Sequence, residues 1–102
     1  MKNIERFENA SQFLACYFHQ DFSDQFEGPE EAVAQFIQDA DHRTRANAVH
    51  DLHQIVAEFQ GSHLDDVVLE IGCYYDPERH QGVPMREWLN QVIAEIERSL
   101  SV

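Results

Sequence analysis

Two short stretches of the chain crowd reactive side chains together. Residues 16–22 read CYFHQDF, and residues 72–77 read GCYYDP. Cys16 and His19 are three apart, a spacing that brings a thiol and an imidazole to one side of a helix. Such a pair suits either of two chemistries: a nucleophile with its base, or half of a zinc site completed by Cys73 and Asp76. The rest of the sequence supports neither. A reactive thiolate needs a cation or a helix N-terminus to lower its pKa, and the surroundings of Cys16 are acidic and aromatic. Zinc needs about four convergent ligands. His50 and His53 lie one turn apart elsewhere, and no HExxH or Glu-x-x-His pattern appears. The expected catalytic residues, metal ligands and cofactors are therefore none.

The same residues serve a core better. Phe13, Leu14, Tyr17 and Phe18 form a helical stripe with Cys16 at its margin. Tyr74 and Tyr75 can pack their rings while their hydroxyls stay bonded or wet. His19 and Asp21 are suited to satisfy backbone groups at a frayed helix end. His53, between Val49 and Val56, reads as a hydrogen-bonded boundary residue. With no CxxC spacing, Cys16 and Cys73 are expected to be free thiols.

These side chains need helices to position them. After a polar N-terminal arm (residues 1–8), Asn9 or Ser11 is expected to cap a first helix that fades near Gln20. Gly28-Pro29-Glu30-Glu31 marks a second start, with proline at the first helical position and carboxylates at the positive end of the dipole. Ala32, Val33, Phe36, Ile37 and Ala40 share its apolar face. Asp39 or Asp41 caps a third helix with a stripe of Ala46, Val49, Leu52, Val56 and Phe59, and Gly61 is its expected left-handed terminator. Ser62 and Asp65 suggest a capping box for a fourth helix, which buries Leu64, Val67, Val68 and Ile71 and stops at Gly72. Val67 and Val68 also fit a strand. Pro84 opens the last helix, whose apolar set is Met85, Trp88, Leu89, Val92, Ile93, Ile96 and Leu100. The expected fold is all-α, a single small bundle of about five amphipathic helices over residues 1–102.

Charge bounds the partners. Nineteen acidic and seven basic residues give a net −12, and Lys2 is the only lysine. A chain of this kind is repelled by nucleic acid and anionic membrane and attracted to a basic protein. It carries neither a long apolar run nor a basic-then-apolar leader, which makes the cytoplasm the expected compartment. Simple solubility also explains an acidic surface.

Two connectors combine carboxylates with aromatics, the usual make-up of a tight interface. DFSDQFEG supplies Asp21, Asp24 and Glu27; CYYDPERHQGV supplies Asp76 and Glu78, with Asp65 and Asp66 nearby in sequence. These seven acids are the candidate partner-binding residues.

FLACYFHQDF, GPEEAVAQF, LEIGCYYDP and REWL, in that order from Phe13 to Leu89, resemble the small immunity proteins of bacterial contact-dependent growth inhibition systems. The segment DADHRTRANAVHDLHQIV departs from that pattern in lacking a proline break. The resemblance implies a non-enzymatic, cytoplasmic inhibitor that binds the C-terminal toxin domain of an effector, often a nuclease; the free chain is expected to be a monomer. It also implies that Cys16, Tyr17, Phe18, His19, Asp21, Gly72, Cys73, Tyr74, Tyr75 and Trp88 define the fold rather than the partner. A cationic toxin domain fits the charge. The competing readings are an acidic decoy for another basic protein and a small metal or thiol enzyme built on Cys16, His19, Asp21 and Cys73.

Overall fold

Helical periodicity resolves into eight helices among residues 2–101, the part described by the computed structural model. They are α1 (Asn3–Arg6), α2 (Glu8–Tyr17), α3 (Phe22–Gln25), α4 (Pro29–Asp39), α5 (His42–Glu58), α6 (Gly61–Glu70), α7 (Pro77–Gln81) and α8 (Met85–Leu100). The described residues contain no strand, so Val67 and Val68 are helical. The long α5 packs against both α2 and α8, while α4 lies on α2 and α8. The shorter α6 touches α1 and α8, and α7 leans on α8.

The strongest local signals behave as the sequence implies. Pro29 sits in the first turn of α4 with Glu30 and Glu31. Asp41 caps α5, its Oδ1 accepting the Thr44 amide at 2.8 Å. Ala40 and Asp41 are extended, so α4 and α5 are separate helices. Trp88, Leu89, Val92, Ile93 and Ile96 form the buried face of α8.

Several expectations are corrected. Residues 2–8 are no loose arm: Phe7 is buried and meets the Phe59 ring edge-on at 6.2 Å, and Arg6 grips both Glu58 oxygens at 2.7 and 2.9 Å. Neither Asn9 nor Ser11 caps α2, which starts earlier at Glu8. Its N-terminus is held from another helix instead. Asp51 of α5, only 5% exposed, accepts the amides of Asn9 at 2.9 Å and Ala10 at 3.2 Å through Oδ2. A carboxylate there satisfies donors that the helix cannot pair internally and meets its positive end.

Gly61 does adopt a left-handed φ of +56°, but it opens α6 rather than closing α5. Phe59 and Gln60 are already extended, and Gln60 replaces Ser62 as the residue before the helix, with no side-chain cap. Both supposed connectors contain helix, α3 in the first and α7 in the second.

The two signature stretches meet along one seam. Ser11 Oγ donates to the Ile71 carbonyl at 2.8 Å, and the Tyr74 amide donates to the Phe18 carbonyl at 2.7 Å. Between these bonds lies Gly72, with φ +117°, where an added Cβ would stand 2.7 Å from the Ala15 Cβ. Only glycine tolerates both the backbone angle and the approach. Beyond it, the fully buried Phe18 packs edge-on to Trp88 at 5.0 Å, stacks with Phe22 at 5.3 Å and meets Tyr75 at 5.9 Å.

Gly72→Ala is therefore expected to cost about 2–5 kcal/mol, combining backbone strain with overpacking. Urea unfolding followed by circular dichroism checks this. An unchanged midpoint would show that the seam does not require the close approach.

Candidate functional site

Of the residues that suggested chemistry, His19 and Cys73 are engaged by local hydrogen bonds and packing, while the side chains of Cys16 and Asp21 are exposed. His19 Nδ1 accepts the Asp21 amide at 3.0 Å, and Nε2 lies 3.1 Å from Gln25 Oε1. With Nδ1 accepting, Nε2 is left to donate to that amide oxygen. Cys73 is buried; loss of solvent pushes its thiol up to about 12, and Sγ donates to the Tyr75 carbonyl at 3.6 Å. Cys16 is exposed, and both cysteines are free. No three His, Cys, Asp or Glu side chains converge as metal ligands among the described residues.

Other predicted roles hold in part. Tyr17 donates to Asp39 Oδ2 at 2.8 Å, tying α2 to α4; burial and the adjacent carboxylate raise its hydroxyl to about 12. His53 reaches Glu97 on α8 at 3.2 Å, so it is hydrogen-bonded as expected, but it is exposed rather than at the boundary of the core. Tyr75 is buried and its hydroxyl accepts from Gln81 Nε2, whereas the Tyr74 ring stands 59% exposed. The side chains of Cys16, Asp21 and Tyr74 thus lie outside the seam, although the Tyr74 backbone belongs to it.

The candidate acids divide into groups. Asp65 and Asp66 on α6 share one depression with Asp76 and Glu78 at the start of α7. It measures about 380 Å³. Partial burial pushes the Asp65 carboxyl above its ordinary range, and the charges of Glu78, Asp76 and Asp66 push it further. Asp76 also caps α7, its Oδ1 accepting the amides of Glu78 at 3.1 Å and Arg79 at 3.2 Å.

Glu27 lines a neighbouring groove of about 560 Å³ with His19, His80 and the two tyrosines. Tyr74 and Tyr75 border both hollows, making one continuous face. Asp21 and Asp24 are exposed on and beside the short α3 and line neither hollow.

Sequence reasoning missed Leu69, which is 53% exposed on the rim of the acidic depression. A signal did exist, since Leu69 falls off the buried stripe of its helix. Asp51 was missed as well. It stands between Ala48 and Ile55, both buried, so a charge at a core position was legible.

The described residues thus form an all-helical fold that gathers four of the candidate carboxylates on one open face. Residues 6–96 match the CdiI immunity protein family, and the chain belongs to that family. Its fold is similar to a chain in the crystal structure of the CdiA-CT/CdiI complex from Y. kristensenii 33638. The TM-score is 0.86 at 23% identity, covering 95% of this chain and 99% of that one. No curated protein matches in sequence.

A disulfide-exchange reagent should titrate one thiol, Cys16, in the native protein and release the second only on unfolding, as burial of Cys73 requires. Fast reaction of both would place Cys73 outside the core. At the α7 cap, Asp76→Asn should leave the melting temperature near wild type, whereas Asp76→Ala should cost about 1 kcal/mol. Equal losses in a thermal scan would contradict the capping role.

Proposed function

We propose that this protein binds the C-terminal toxin domain of a contact-dependent growth inhibition effector and neutralises it without catalysis, in the cytoplasm of the producing cell. The toxin domain on this reading is a nuclease with a cationic substrate track. Family membership across residues 6–96, together with the gathering of Asp65, Asp66, Asp76 and Glu78 on one open face, carries the reading.

A net charge of −12 suits such a role physically. A nuclease presents lysines and arginines to phosphates, so an acidic inhibitor is steered towards it and covers the same groups. Glu27, Asp65, Asp66, Asp76 and Glu78 would meet those cations directly. Asp21 and Asp24, at α3, contribute by attraction at longer range. Steering sets the association rate; tight binding also needs desolvated aromatic or aliphatic contacts near the centre of the interface.

The test uses the C-terminal toxin domain of the cognate effector. Cells producing that domain should stop growing and degrade nucleic acid, and co-production of this protein should reverse both. The purified pair should form a one-to-one complex whose association rate falls as salt is raised. Failure to protect would overturn the immunity reading. Protection against a toxin that leaves nucleic acid intact would overturn only its nuclease part.

A further inference from the structure

The acidic depression has an apolar rim as well as charged walls. Leu69 and Tyr74, both among the most exposed large apolar side chains, flank it from α6 and from the turn before α7. Exposing a leucine and a tyrosine on the wall of one depression leaves apolar surface in water that a partner could cover. Asp65, Asp66, Asp76 and Glu78 line the space between, with Arg79 the one cation among the described lining residues. An isologous second copy would bring those same carboxylates against each other, so the face is poorly suited to self-pairing.

We infer that this hollow is the docking point for an arginine side chain of the toxin domain, with its aliphatic stem covering Leu69, its guanidinium plane lying against Tyr74 and its N–H groups reaching the carboxylates. This rests on the proposed function and names the energetic centre of that interface. Arginine suits the lining better than lysine. Its flat, weakly hydrated guanidinium stacks on an aromatic ring and donates in a fork to carboxylates, whereas an ammonium is a strongly hydrated point charge. Burial is the larger cause of the upward shift at Asp65, but the mutual repulsion of Asp65 with Glu78, Asp76 and Asp66 adds to it, and an entering cation relieves that part.

Binding of the cognate toxin domain to Leu69→Ala and Tyr74→Ala variants tests the assignment, by calorimetry at fixed salt. Each substitution is expected to raise Kd at least about tenfold, the loss typical of a central contact, with the melting temperature unchanged because both side chains are exposed. Asp24→Asn on α3 should change Kd by less than either.

Phenylglyoxal modification of the toxin's arginines should remove the dependence on Tyr74, and acetylation of its lysines should leave it. The reverse pattern would overturn the arginine assignment. Toxin binding that ignores both substitutions would overturn the docking point while the immunity reading stands. If wild-type protein fails to bind the toxin domain at all, that reading falls and the docking point with it. A wild-type dimer in sedimentation that Leu69→Ala dissolves would instead assign the face to a second copy of this chain.

Discussion

The fold depends on the contact between the Gly72 backbone and Ala15. Without a Cβ at position 72, the segment from Ile71 to Tyr75 lies directly along α2, close enough for hydrogen bonds on either side of the contact. Those bonds deliver Tyr75 into the space beside Phe18 and Trp88, where aromatic rings from four parts of the chain interlock. A side chain at position 72 would lift the segment away and open this cluster. The Asp51 carboxylate fixes the opposite end of α2 against α5, so both ends of one helix are anchored by partners distant in sequence.

The division of labour follows from that seam. Side chains that point into it, such as Phe18, Cys73, Tyr75 and Trp88, are committed to packing. The face proposed to meet a toxin is built from residues outside it, chiefly on α6 and α7. Tyr74 joins the two roles, with its amide in the seam and its ring in solvent. Substitutions at the exposed positions of α6 and α7 can therefore change the proposed face with little effect on the core. Recognition gains a rigid platform for the same reason, since an exposed ring on an anchored backbone loses little freedom on binding.

Elements with strong local grammar were legible in the sequence. Pro29 with its glutamates, Asp41 with Thr44, and the regular apolar face of α8 each specify themselves through neighbours within a turn or two. Positions decided by distant partners were misjudged. Asn9 and Ser11 look like caps, yet Asp51 supplies the cap, and nothing local to α2 announces it. Phe7 looks like part of a polar arm because its companion, Phe59, comes from the far end of α5. The Asp76-Pro77-Glu78 start of α7 did carry local grammar, a cap followed by proline and an acid, inside a stretch too short to show periodicity. At the candidate site, the carboxylates Asp65, Asp66, Asp76 and Glu78 were identified by composition and are brought together by the fold. Leu69 was legible as a leucine off the buried stripe of α6, but its place beside the four carboxylates depends on how α6 packs against the segment before α7.

Native-state hydrogen exchange resolved to single amides tests the seam most directly. The account predicts that the Tyr74 amide, which donates to Phe18, exchanges only through global unfolding, whereas the amides of α3 exchange through local opening at much lower cost. A Tyr74 amide that exchanges as readily as those of Asp24 and Gln25 would contradict it, because the two signature stretches would then separate without unfolding the protein.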